Sequence, residues 1–164
     1  MTDRQFEIVL YGASGFTGKL VAEYLASDHQ DLRWAIAGRN TQKLEQVRRE
    51  LNLPELPIII ADSADPDSLS TMAKQTRTLI STVGPYAQYG TPVLKACATE
   101  GTHYCDLTGE AQWMAEVYEQ INPIAQNSGA DWSTAVASTP SPRTCRYFSC
   151  RSISRSALAA PPTM

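Results

Sequence analysis

Three glycines at intervals of three, Gly12, Gly15 and Gly18, fall in the run Gly12-Ala13-Ser14-Gly15-Phe16-Thr17-Gly18. Their chemistry is that of a main chain laid open to an anion. Glycine lets a phosphate come close to the backbone, and the unpaired N–H groups of a helix start attract it. The residues before the run, Phe6-Glu7-Ile8-Val9-Leu10-Tyr11, read as a strand, and those after it, Lys19-Leu20-Val21-Ala22-Glu23-Tyr24-Leu25, as a helix. Strand, glycine turn and helix in this order make the point where a dinucleotide pyrophosphate is held. The spacing is G-x-x-G-x-x-G rather than the commoner G-x-G-x-x-G, and the bare motif also fits an ordinary strand-to-helix turn. Gly12 is expected to permit the tight turn, Gly15 the approach of phosphate, and Gly18 close helix–strand packing. Ser14, Phe16 and Thr17 lie on the loop, where their N–H groups or hydroxyls could reach phosphate oxygens. For Phe16 the favoured reading is a packing residue beneath the loop.

The end of the second strand decides between NAD and NADP, because a carboxylate there holds a ribose 2′-OH and an arginine accommodates a 2′-phosphate. The chain has Gly38-Arg39-Asn40, with Lys43 one helical turn on. The planar fork and permanent charge of arginine suit a phosphate, which favours NADP over NAD. Asp62, just past the third strand, is placed to accept from the adenine amino group, or else serves as a turn residue ahead of Asp65. Val83-Gly84-Pro85-Tyr86 ends the fourth strand, and Gly84 would let the backbone approach the ribose or pyrophosphate. Tyr86 and Tyr89 either line the nicotinamide side or pack elsewhere. Asp106-Leu107-Thr108-Gly109-Glu110 closes the fifth strand, with Asp106 or Thr108 expected to cap the last helix. His29 and His103 have no visible catalytic partner, there is no Tyr-x-x-x-Lys pair in the helices, and no acid–base residue stands out.

These residues need a frame of alternating strands and helices, and the chain supplies one between residues 5 and 130. After the first unit, Leu32–Ala37 reads as a strand, and Asn40 caps a helix carrying Leu44, Val47 and Leu51. Pro57–Ala61 is an apolar β-branched run of the kind buried on both faces. Asp65-Pro66 opens a helix through Leu69, Met72 and Ala73. Thr78–Val83 is a fourth strand, Thr91-Pro92 opens a further helix that stops at Gly101, His103–Asp106 is a fifth strand, and 111–127 a final helix. Five strand–helix pairs predict an α/β fold with a doubly wound, Rossmann-like parallel sheet, truncated before its last strand and before any second domain.

An apolar share of 43% and a charged share of 19% over 164 residues fit one soluble domain with a real core. A net charge of −3 without basic clusters gives no sign of nucleic-acid binding. No apolar run is long enough for a membrane span and the start of the chain does not read as a signal peptide, so a cytoplasmic protein is expected. The four cysteines have no metal-ligand spacing, and no metal site is expected. Residues 131–164 break the pattern: they hold four arginines, one acid, and no glycine, lysine or glutamate. The expectation is a dinucleotide-binding domain over 1–130 and an irregular segment over 131–164, either disordered or translated out of frame.

Tyr11 through Gly18, Ala37-Gly38-Arg39, Val83-Gly84-Pro85-Tyr86 and Asp106-Leu107-Thr108-Gly109-Glu110 together resemble the saccharopine dehydrogenase-like oxidoreductases, and within them the trans-acting enoyl reductase branch. The resemblance covers roughly residues 5–130. It implies an NAD(P)-dependent oxidoreductase, hydride transfer to a lipid-like enoyl substrate, and a place beside the nicotinamide for Asp106 through Glu110. It also implies a second, substrate-binding domain, which the sequence as read is expected to lack. Two other readings of the same residues stay open: a non-catalytic NADP(H)-binding or sensor module, and an inactive truncated product.

Overall fold

A computed structural model describes residues 4–29 and 31–134. Within them strands and helices alternate: β1 (Phe6–Tyr11), α1 (Phe16–Asp28), β2 (Trp34–Gly38), α2 (Thr41–Glu50), β3 (Ile58–Ile60), α3 (Pro66–Gln75), β4 (Thr76–Ser81), α4 (Tyr86–Glu100), β5 (His103–Asp106), α5 (Ala111–Ser128) and β6 (Trp132–Thr134). The six strands form one sheet in the order β3-β2-β1-β4-β5-β6, and every pairing is parallel. This is the doubly wound order of two mononucleotide-binding halves, which diverge between β1 and β4.

Each side of the sheet carries its own core. Val9, Tyr11, Ala35, Ala37, Leu79 and Tyr104 face one side, which is filled from α3, α4 and α5 by residues such as Leu69, Val93, Leu94, Trp113 and Ile121. Leu10, Trp34 and Ile36 face the other, against Ala22 and Leu25 of α1 and Leu44 and Val47 of α2. The alternation within β2 follows from the two-residue repeat of a strand, and the burial of both faces explains its lack of polar residues. Asn40 caps α2 by accepting the Lys43 N–H at 3.0 Å, and Asp65 caps α3 with Pro66 directly behind it. Gly101 and Gly129 end α4 and α5 in the left-handed region, at φ 69° and 76°.

The structure departs from the sequence expectations at four places. A sixth strand is present: β6 pairs with β5, Tyr104 opposite Trp132 and Asp106 opposite Thr134, so β5 is interior and not an edge. With three residues and one serine, β6 carries no repeat that a pattern could register. Regular structure therefore continues to Thr134, and the rest of the segment expected to be irregular, 135–164, lies outside the described residues. β3 is an edge strand, and Ile60 is about half exposed rather than covered on both sides. Finally, α4 begins at Tyr86, not at Thr91-Pro92, and carries Pro92 in its interior. Its first turn is fixed by tertiary contacts: the Tyr86 ring lies 5.6 Å from that of Trp113, whose Nε1 donates to Thr91 Oγ1 at 2.8 Å.

Candidate dinucleotide site at the carboxyl edge of the sheet

Gly12 leaves β1 with φ 91°, a conformation that side chains rarely adopt, and its N–H remains tied to Ala37 O at 2.9 Å. A β-carbon at Gly12 would meet Val83 Cγ2 at 2.6 Å and Thr82 Oγ1 at 2.8 Å. The Gly12 carbonyl accepts the Gly15 N–H at 3.0 Å, closing a tight turn, and the Thr82 hydroxyl at 3.2 Å. Thr82 also donates from its N–H and hydroxyl to Tyr11 O, at 2.9 and 3.1 Å. Sequence reasoning passed over Thr82, because its contacts come from a neighbouring strand some seventy residues away. Gly18 lies directly beneath the loop, where a β-carbon would run into the Gly12 carbonyl oxygen and stand 2.8 Å from Ala13 Cα. Gly12 and Gly18 thus have the expected geometry of tight turn and close packing, while Gly15 is exposed and uncrowded.

Gly15 is the N-cap of α1 and offers no side-chain cap, and the first turn of α1 holds no acid. Ser14 and Thr17 are partly exposed beside it. Phe16 is 84% exposed, so it does not pack beneath the loop. Arg39 is exposed just beyond the end of β2, and Asp62 lies partly exposed beyond β3. Asp62 Oδ1 accepts the Ala64 N–H at 3.0 Å, and its own N–H donates to Ser68 Oγ at 3.1 Å, so Asp62 does serve as the turn residue ahead of α3. Tyr11, the last residue of β1, joins this corner from beneath. Burial pushes its hydroxyl pKa up, the Ser63 hydroxyl beside it pulls it down, and the charges of Asp62 and Arg39 act on it in opposite directions.

At the ends of β4 and β5 the residues form a hydrogen-bonded brace. Val83 is partly exposed and Gly84 exposed, with the Gly84–Pro85 peptide bond cis. Tyr86 turns away from solvent: it is buried, its hydroxyl donates to Ser81 O at 3.1 Å, and burial raises its pKa to about 12. Tyr86 is therefore a packing residue, and Tyr89 stays partly exposed. Asp106 Oδ1 accepts the Thr108 N–H at 3.1 Å and Oδ2 the Tyr104 hydroxyl at 2.8 Å, while Thr108 Oγ1 accepts the Glu110 N–H at 3.1 Å. Asp106 and Thr108 build the turn that leads into α5 and do not cap it; the N-cap position is Glu110. The Glu110 carboxylate reaches instead to α4, where it accepts the N–H groups of Tyr86 at 2.6 Å and Ala87 at 2.8 Å. Burial raises the Asp106 carboxyl to about 6, with the hydrogen bonds from Thr108 and Tyr104 acting the other way.

The described residues also enclose a cleft of about 730 Å³, lined among others by Phe6, Leu25, Trp34 and Leu56. It lies at the amino ends of β1 and β2, across the sheet from the glycine loop, and shares none of the candidate residues. Among the described residues, no helix is long and apolar enough to cross a membrane.

The family model of the saccharopine dehydrogenase NADP binding domain matches residues 8–136. A Mycobacterium tuberculosis protein named as a trans-acting enoyl reductase is 47% identical over 131 residues, which are 79% of this chain and 31% of that protein. A namesake from Mycobacterium leprae is 44% identical over 129 residues, 77% of this chain and 31% of its own length. The chain thus spans about a third of the length of the curated relatives it matches. Among solved structures, apo saccharopine dehydrogenase (L-Glu forming) from Saccharomyces cerevisiae superposes with a TM-score of 0.65 at 19% identity, over 80% of this chain and 27% of that one. Triphenylmethane reductase from Citrobacter sp., in complex with NADP(H), gives 0.60 at 19% identity, over 79% of this chain and 48% of that one. Identities this low show the fold, and the fold is the Rossmann-like one expected. The sequence match carries the closer relationship and agrees with NADP, not NAD, as the dinucleotide: the chain belongs to the saccharopine dehydrogenase family, through its NADP-binding domain.

Proposed function

We propose that the chain binds NADP(H) for hydride transfer in a cytoplasmic oxidoreductase whose substrate class is a lipid-like enoyl compound. The observation that carries this reading is the open amino terminus of α1. Four helices start at the carboxyl ends of strands β1 to β4. α2 and α3 are capped by Asn40 and Asp65, and α4 by the Glu110 carboxylate, whereas α1 has no cap and no acid. Its free N–H groups and positive end suit a pyrophosphate. Gly12, Ser14, Gly15, Phe16, Thr17 and Gly18 would hold that group, and Arg39 would grip the 2′-phosphate with its planar fork. Asp62 would meet the adenine amino group through the carboxylate oxygen that Ala64 leaves free. Val83 and Gly84 would border the nicotinamide half. When bound, the nicotinamide supplies the hydride chemistry, and the residues named here bind and orient. The name shared by the mycobacterial relatives supports the enoyl substrate class.

A second reading, an NADP(H)-binding module without turnover of its own, has one observation in its favour. On the nicotinamide side the Tyr86 hydroxyl, Asp106 and Glu110 all spend their hydrogen bonds inside the fold. Calorimetric titration with NADPH and NADH tests the binding claim. NADPH should bind at least about tenfold more tightly, since a charge-assisted contact to phosphate contributes roughly 1.5–3 kcal/mol. Arg39→Ala should bring NADPH down to the affinity of NADH and leave NADH unchanged. Equal binding of the two ligands by the wild type would sink the role of Arg39. Oxidation of NADPH in the presence of an enoyl thioester then separates the two readings.

A further inference from the structure

Glu110 stands at the entry to α5, yet its carboxylate serves α4. Pro85, the N-cap of α4, has no side chain that can accept a hydrogen bond, and the two N–H groups behind it, on Tyr86 and Ala87, point at the two oxygens of Glu110. Glu110 is itself anchored. Its N–H donates to Thr108 Oγ1, the Thr108 N–H to Asp106 Oδ1, and the Tyr104 hydroxyl to Asp106 Oδ2. This series runs unbroken from inside β5 to the first turn of α4. From the other direction Thr82 is fixed to Tyr11 and Gly12. The turn between them, Val83 to Pro85, therefore hangs between the glycine loop and the Glu110 carboxylate.

In this strand order the two halves of a dinucleotide lie on either side of the divide between β1 and β4. The glycine loop, Arg39 and Asp62 follow β1, β2 and β3. The nicotinamide half then falls over the ends of β4 and β5, where the Val83–Pro85 turn stands. We propose that Glu110 is a positioning residue for that half: by capping α4 it sets the height and direction of the turn against which the nicotinamide ring rests. The proposal builds on the NADP(H) reading above.

Two ligands separate this role from a general structural one. NADPH spans both halves, whereas adenosine 2′,5′-bisphosphate keeps only the groups that would meet the glycine loop, Arg39 and Asp62. Glu110→Gln preserves the shape but turns one acceptor into a donor facing an N–H. The expected result is a Kd for NADPH about tenfold higher and a Kd for the bisphosphate within about twofold of wild type. Equal weakening of both ligands, or unchanged NADPH binding, overturns the proposal. Should Glu110→Gln fail to fold, Thr108→Val removes the hydroxyl that receives the Glu110 N–H, with a smaller loss of NADPH affinity expected and none for the bisphosphate. Wild-type protein that binds neither ligand overturns the NADP reading and this one with it. Variants indistinguishable from a wild type that binds both overturn this one alone.

Discussion

A β-carbon added at Gly18 would collide with the Gly12 carbonyl oxygen, whereas one at Gly15 would meet nothing nearer than the same oxygen at 3.4 Å. Gly15 also has an extended backbone, φ −79° and ψ 168°, that any residue adopts. The two glycines should therefore fail in different ways. Gly18→Ala forces helix and loop apart and should lower stability by about 1–3 kcal/mol, the usual cost of overpacking. Gly15→Ala should keep stability within about 1 kcal/mol of wild type, as expected at an N-cap, yet weaken NADPH because the methyl stands where phosphate approaches. Chemical denaturation and NADPH titration of both variants check this, and a Gly15→Ala variant that binds as well as wild type would contradict the placement. The glycines were legible because their spacing falls between a strand and a helix. Thr82 was not, and although Tyr11 and Glu110 stand inside the motifs, their contacts were not either, since each acts on a residue brought near only by the sheet and no local spacing records such a contact.

At the scale of elements, the legible features were those whose causes are local. Asn40, Asp65 and Gly101 mark helix ends through their own backbone and side-chain geometry, and β1 and β5 occupy the residues predicted. β6 was missed because pairing with β5 creates it: the Tyr104 N–H donates to Asp131 O at 2.9 Å, and the Asp131 N–H to His103 Nδ1 at 3.1 Å. That pairing changes the meaning of Asp106. On an edge strand it would be solvated, but between Ser81 of β4 and Thr134 of β6 it is buried, and its pKa rises to about 6. A carboxyl raised in the folded state contributes stability that is fully present below its unfolded pKa and is lost as pH rises through the folded value. The window runs from about pH 4 to 6. Asp106→Asn removes this proton linkage, so its stability relative to wild type should improve by roughly 1–3 kcal/mol between pH 4 and pH 7.5. Denaturation midpoints for both proteins at the two pH values measure the change, and a constant difference would show that Asp106 is not buried as a charge.

The molecule as a whole separates two tasks between the two edges of its sheet. The carboxyl edge carries the glycine loop, Arg39 and the Glu110 brace. At the amino edge Arg4 fastens the chain start to the C-terminal ends of two helices: Nη1 donates to Ala73 O at 2.8 Å and Thr102 Oγ1 at 3.2 Å, and Nη2 to Glu100 O at 2.6 Å. A cation over the terminal carbonyls of a helix is favourable both as a hydrogen-bond donor and toward the helix dipole. Thr102 donates in turn to Ala73 O at 2.6 Å, so the same carbonyl is held twice and the C-terminal end of α3 is tied to the start of β5. The central strands β1 and β4 lie between the two edges, with cores on both faces, and Arg4 shares no hydrogen-bond partner with the residues of the glycine loop. Loss of the Arg4 clasp should therefore cost stability without touching the site. Arg4→Ala is expected to destabilise the fold by roughly 1.5–3 kcal/mol, the range for hydrogen bonds to a charged group. The Kd of the folded fraction for NADPH should stay within about twofold of wild type, because residues this far apart without shared partners act independently. Denaturation and calorimetric titration of one preparation give both quantities, and a parallel loss of affinity would show that the amino edge holds the dinucleotide loop in place after all.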